Sequence, residues 1–127
     1  KATTHEMATR FYFIDYDREM AIVAEIDQDD QRKLIGVGRL VADADHCEAE
    51  FAILVGDPWQ GIGMGSILTD YCLEVCQLWG VQRVIAETAP NNRRMLDIFH
   101  RRGFTIDTTK CSDSVFVSKD LGTATCH

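Results

Sequence analysis

The chain has 127 residues, enough for one domain with a single core, and 46% of them are apolar with charge mixed along the chain, a composition that excludes disorder. A net charge of −7 excludes a nucleic-acid ligand, whose phosphates need clustered Lys and Arg, and suits a basic partner such as an amine or a lysine-bearing protein. No apolar run approaches the roughly 18–20 residues of a membrane span, and the opening KATTHEMATR has neither a signal-peptide core nor an initiator methionine, as expected of a processed or excised domain.

In chain order, Thr3 and Glu6 have capping-box spacing, which predicts a short helix from Thr3 to about Tyr12. FIDYD (13–17) reads as a connection. MAIVAEI (20–26) and LIGVGRLVA (34–42) read as strands joined by a polar hairpin turn, QDDQR (28–32). DADHC (43–47) is a loop. EAEFAILV (48–55) is a third strand, apolar enough near its end for burial on both faces. In SILTDYCLEVCQLWG (66–80), Leu68, Tyr71, Cys72, Val75, Leu78 and Trp79 share one helical face, and Gly80 supplies the stop. QRVIAE (82–87) is a strand. Pro90 and the Asn91-Asn92 pair open a second helix with Met95, Leu96 and Phe99 on its face, ended by Gly103. Residues 104–108 and 114–118 are the last strands. The first strands pair antiparallel, and the strand–helix–strand stretch from 48 to 87 is a parallel crossover.

Five cysteines (Cys47, Cys72, Cys76, Cys111, Cys126) make an odd count with irregular spacing and no CxxC. They read as reduced, mostly buried thiols of a cytoplasmic protein. No metal site is read from them, because His46 beside Cys47 lacks further ligands; His5, His46 and His100 read as isolated surface residues.

The chemistry concentrates in DPWQGIGMG (57–65). Each glycine costs a helix roughly 1 kcal/mol against alanine, yet Gly61, Gly63 and Gly65 run straight into a helical pattern. Unpaired amides at a helix start, with no side chains in front of them, suit a bulky anion such as a phosphate. The nucleotide-triphosphate loop needs Gly-Lys-Ser/Thr, and no lysine stands here. The dinucleotide fingerprint needs GxGxxG at the first crossover, and here the third glycine is misplaced.

The stretch Gln60-Gly61-Ile62-Gly63-Met64-Gly65 resembles the acyl-CoA loop Q/R-x-x-G-x-G/A of the GNAT superfamily of N-acetyltransferases. Val55 and Trp59 stand where such loops carry a strand-end valine and an aromatic. Asn92, Gly103 and Phe104 agree with the superfamily's fourth-helix pattern. FIDYDREMAIVAEI, GVGRL and AEFAILVGDPWQGIGMG look like one subgroup: bacterial protein lysine acetyltransferases whose GNAT domain is fused to an ADP-forming acyl-CoA synthetase-like region, a region absent from these residues. The resemblance implies an α/β GNAT fold in a single domain, 1–127: a central mixed, mostly antiparallel sheet splayed between the parallel strands 48–55 and 82–88 and flanked by helices. It also implies an N-terminally trimmed domain, lacking the usual first strand and first helix.

The resemblance further implies acetyl-CoA as co-substrate. Its diphosphate would lie on the backbone amides of Gln60, Gly61, Ile62, Gly63, Met64 and Gly65. Its pantetheine arm would lie beside Ile53, Leu54 and Val55, with a strand bulge near Leu54 freeing the backbone groups. Asn92 would bond the arm or cap the second helix. Glu50, in Ala49-Glu50-Phe51-Ala52, would be the general base for a protonated amine, with Glu48 the second, more exposed choice. The superfamily's general-acid tyrosine position is Phe99 here, with Tyr71 a poor substitute in the core. Arg93 and Arg94 read first as a solvated pair and second as phosphate contacts. The implied function is acetyl transfer by direct attack to an amine, first a protein lysine and otherwise a small molecule; a non-catalytic acyl-CoA sensor is the rival. A homodimer is compatible with this reading.

Overall fold

The computed structural model describes residues 9–45, 47–107 and 113–122. Seven strands form one sheet: β1 (Arg10–Asp15), β2 (Glu19–Gln28), β3 (Gln31–Ala42), β4 (Glu48–Val55), β5 (Arg83–Thr88), β6 (Thr105–Asp107) and β7 (Val115–Asp120), in the spatial order β1-β2-β3-β4-β5-β7-β6. Every neighbouring pair is antiparallel except β4–β5, which is parallel and bridged by helix α1 (Met64–Trp79). Helix α2 (Arg93–Arg101) connects β5 to β6. This is the mixed α/β sheet flanked by helices that the sequence implies.

The β2–β3 hairpin turns at Asp29 and Asp30, both with positive φ (54° and 61°), the backbone of a tight turn whose twist matches that of the strands. A register shift at Ala24/Glu25 places a bulge in this hairpin. One sheet face carries the core: Ile22, Ala24 and Ile26 of β2, Leu40 of β3, Ala49 and Phe51 of β4, and Val84 and Ala86 of β5 are all buried. Helix α1 covers that face with Met64, Leu68, Cys72, Val75 and Cys76. It comes close because β3 offers Gly36 and Gly38 beneath it. A Cβ at Gly36 would lie 3.0 Å from Leu68 Cδ1, and one at Gly38 3.1 Å from Cys72 Sγ. Gly80, with φ 77°, ends α1 as expected, its amide bonding the Cys76 and Gln77 carbonyls.

Five expectations are corrected, the first being that FIDYD (13–17) is a connection, since Phe13, Ile14 and Asp15 belong to β1. The helix forecast from Thr3 to about Tyr12 does not extend over Arg10–Tyr12, which belong to β1; the capping signal itself lies outside the described residues. RFYFID is rich in residues that suit a pleated surface, and Phe11 and Phe13 set their rings edge-on against Tyr71 of α1, at centroid distances of 5.1 and 5.2 Å. The end of β4 is not buried on both faces: Leu54 is 73% exposed. Leu78 leaves the helical core face and is 82% exposed. Cys47 is disulfide-bonded, so the expectation of reduced thiols holds for Cys72 and Cys76, which are free and buried, and fails at Cys47. Burial away from water pushes both free thiols up to about 12.

Candidate active site

Pairing between β4 and β5 runs from Glu48↔Arg83 to Phe51↔Ala86 and stops there, while β4 stays paired with β3 through Gly36↔Val55. Beyond Phe51 the two parallel strands part. Alternate backbone groups of residues 52–55 therefore face a gap instead of a neighbouring strand. The register of β3 with β4 is regular to its end, so the splay alone opens this edge, and the bulge expected near Leu54 is not there.

The chain leaves β4 through a 3-10 turn, Asp57–Trp59, opened by Pro58; Trp59 packs against the core. The Gln60 side chain then ties the loop back. Its Nε2 donates to the Val55 carbonyl (3.1 Å) and to Asp57 Oδ1 (3.3 Å). Gly61 and Gly63 have φ of 86° and 92°, values that only glycine adopts without strain. Gly63 is the residue before α1, and no atom lies within 4 Å of where its Cβ would be. At Gly65 a Cβ would meet Ile98 Cδ1 of α2 at 3.2 Å. The Thr69 hydroxyl donates to the Gly65 carbonyl at 2.7 Å and steadies the first turn.

The amides of this loop are open. Gln60 N–H bonds the Asp57 carbonyl at 3.3 Å, which removes it from the expected set. Among the described residues, the amides of Gly61, Ile62, Gly63, Met64 and Gly65 have no protein acceptor. Unpaired donors at the positive end of a 16-residue helix make an anion site.

A cavity of about 310 Å³ joins the splayed edge to this loop. Of the residues named from the sequence, Ile53, Leu54, Val55, Gln60, Gly61, Gly63, Gly65 and Asn92 line it. Ile62 and Met64 do not: Met64 is buried in the core and Ile62 is turned to solvent. The far wall is α2. Asn92 caps that helix, its Oδ1 accepting from Met95 N–H at 3.2 Å, so the capping role is realised and the residue still borders the cavity. A bidentate ion pair fastens α2 to α1: Arg102 Nε and Nη2 donate to Asp70 at 2.6 and 3.0 Å.

Sequence reasoning missed Ser66, Met95, Asp97 and Ile98 as lining residues, and it ranked Arg94 as a solvated residue. The guanidinium of Arg94 lies against Gly61 and donates to Gln60 Oε1 at 3.3 Å. Only the positive φ of Gly61 and the docking of α2 bring the two together, and neither is a pattern in the sequence.

Glu50 lies on the preceding stretch of β4 and is exposed. It lines a second hollow with Phe51, Ala52, Glu87, Thr88, Ala89, Asp113 and Ser114. Because Glu50 pairs with Ile85, Glu87 stands two residues along β5 on the same sheet face. Glu48 is the less exposed of the two β4 carboxylates, the reverse of the expectation, and lies 4.0 Å from Arg83 Nε. Phe99 is 2% exposed and packs with Phe51 and Phe104 at centroid distances of 5.8 and 5.0 Å. Tyr71 is held by Phe11 and Phe13 and does not line the cavity.

The sequence matches the family described as Acetyltransferase (GNAT) over residues 2–104. The chain belongs to the GNAT acetyltransferase family. An acetyltransferase of Pseudomonas aeruginosa is 29% identical over 91 residues, covering 72% of this chain and 49% of that protein, so this GNAT chain spans about half the length of its curated relative. The GNAT domain of S. lividans PAT superposes with a TM-score of 0.68 at 28% identity, covering 82% of this chain and 61% of that one. An acetyltransferase of Salmonella typhimurium, solved with its cofactor acetyl-CoA, superposes with a TM-score of 0.66 at 19% identity over 81% and 65% of the two chains. At that identity the second likeness is one of fold.

Proposed function

We propose that this GNAT domain transfers the acetyl group of acetyl-CoA to a primary amine by direct attack, with a protein lysine as the acceptor. The open amides of Gly61 to Gly65 at the start of α1 carry the reading. They would hold the diphosphate, with Gln60 fixing the loop through its side chain. The unpaired edge of Ile53, Leu54 and Val55 would pair with the amide-bearing pantetheine arm as a strand would, and Asn92 would border it. That arrangement would bring the thioester to the splay point, between the cavity and the hollow that holds Glu50.

A lysine ammonium has an ordinary pKa near 10.4 and must lose a proton before it attacks. Glu50 would accept that proton, directly or through one water. Glu87 and Asp113 border the same hollow and favour a cationic acceptor. The amine nitrogen then bonds to the thioester carbonyl carbon, and the C–S bond breaks as the tetrahedral adduct collapses. Phe99 has no proton to give, so the sulfur would leave as thiolate or be protonated by water, which an ordinary thiol pKa of about 8.5 permits. The likeness of FIDYDREMAIVAEI and AEFAILVGDPWQGIGMG to bacterial protein lysine acetyltransferases supports a protein acceptor over a small amine.

The test is release of free thiol from acetyl-CoA in the presence of a panel of lysine peptides and small amines. Wild type is expected to turn over with peptides, and Glu50→Gln to lose about 10²–10⁴ in rate while keeping its affinity for acetyl-CoA. Unchanged transfer by Glu50→Gln would remove the base assignment. The buried Phe99 favours one second reading, a non-catalytic acyl-CoA sensor. Tight acetyl-CoA binding without turnover on any amine would select it.

A further inference from the structure

The geometry points to Arg94 as a latch that rests on the glycine loop and turns onto the diphosphate of the acyl carrier when the carrier binds. The inference rests on the proposed acetyl-CoA site and assigns it a charged side chain. Arg94 is exposed at the mouth of the cavity, in the second position of α2. Its Nη2 lies 3.3 Å from where a Cβ of Gly61 would stand, so the guanidinium covers one end of the row of open amides. Its one side-chain bond is to a neutral acceptor, Gln60 Oε1, at 3.3 Å.

The charge of Arg94 is otherwise uncompensated. Among the described residues it has no ion pair, although Arg101 and Arg102 on the same helix pair with Asp97 and Asp70. A guanidinium without a carboxylate partner beside five open amides, in a chain of net charge −7, is a local concentration of donors. A neutral amide acceptor is weaker than a phosphate oxygen, whose bonds to guanidinium are shorter, charge-assisted and often bidentate. A diphosphate reaching the loop would therefore draw Arg94 from Gln60. Gln60 keeps its bonds to Val55 and Asp57 throughout, so the loop does not loosen when the latch moves.

Arg93 is the internal control. It carries the same charge on the same helical turn, is exposed, and does not line the cavity. Calorimetric titration of the 127-residue chain with coenzyme A, dephospho-coenzyme A and pantetheine is the experiment, on wild type, Arg94→Gln and Arg93→Gln, with melting curves to show that each variant is folded. Arg94→Gln is expected to weaken coenzyme A and dephospho-coenzyme A by the same factor, about 10-fold to 100-fold, to leave pantetheine unchanged, and to flatten the salt dependence of coenzyme A binding. Arg93→Gln is expected to track wild type. Equal losses in the two variants would reduce the effect to general charge and overturn the latch. A loss for coenzyme A but not for its dephospho form would move Arg94 to the 3′-phosphate and overturn it equally. Absence of any coenzyme A binding by wild type would overturn the acetyl-CoA site itself, an outcome distinct from both.

Discussion

Replacing Gly63 by alanine separates the two uses of the glycine loop, backbone shape and ligand access. Gly63 has φ 92° and ψ 2° at the entry to α1, and an L-residue there costs about 1–2 kcal/mol. No contact adds to that cost, because nothing lies within 4 Å of the new methyl position. At about 2.1 cal/mol/K per residue, 127 residues give an unfolding entropy of about 0.27 kcal/mol/K, so the loss in Tm is about 4–7 °C. The methyl would also occupy open space at the loop, where the carrier is proposed to lie. With acetyl-CoA at about 100 times the wild-type Kd, ligand stabilises wild type by about 2.7 kcal/mol, or about 10 °C; a tenfold weaker variant gains about half of that. Thermal melts with and without acetyl-CoA read both quantities. Gly56→Ala is the control. Its φ is −61° and its Cβ would meet Trp59 Cδ1 at an ordinary 3.4 Å, so it should melt within about 2 °C of wild type and keep the full ligand shift. If Gly63→Ala behaves like Gly56→Ala in both melts, the reasoning from backbone shape and open space is wrong.

Asp70→Asn breaks the charged bidentate pair with Arg102 and should lower stability by about 0.5–1 kcal/mol, discounted because Asp70 is mostly exposed; urea unfolding checks it. Cys72 and Cys76, held near 12 by burial, should resist alkylation at pH 8 in the folded protein and react on unfolding, as mass spectrometry would show. The Arg10 guanidinium, 2.7 Å away, holds the Asp27 carboxyl below its usual range. The stabilisation from that lowered pKa is present above about pH 4 and is lost as pH falls through the folded value. Asp27→Asn should therefore shallow the acid limb of the stability curve and leave the slope at neutral pH unchanged.

What was legible in the sequence was local. The turn at Asp29-Asp30, the strand over 48–55, the glycine stop at Gly80 and the helix start after Asn92 are signals carried by neighbouring residues, and each has its counterpart in the fold. The crossover and the loop at its start follow from them. What was not legible depends on distant partners. RFYFID becomes a strand because β2 pairs with it and Tyr71 packs on its aromatics. Leu54 is exposed because it shares with Glu50 and Ala52 the face of β4 turned away from the core that holds Ala49 and Phe51, and no property of Leu54 announces that. Glu48 is drawn in by Arg83, 35 positions along the chain. Arg94 reaches Gln60 only because α2 is fastened to α1, by the Arg102–Asp70 pair at one end and by the bare surface of Gly65 at the other.

The most direct measurement is a titration of the ¹⁵N-labelled chain with coenzyme A, following the backbone amide resonances of residues 60–65 by two-dimensional NMR. The account predicts large, saturable shifts at Gly61, Gly63 and Gly65 and a smaller one at Gln60, whose amide is already bonded to Asp57. Saturable binding that leaves those glycine amides unmoved, and shifts residues elsewhere on the sheet, would contradict it.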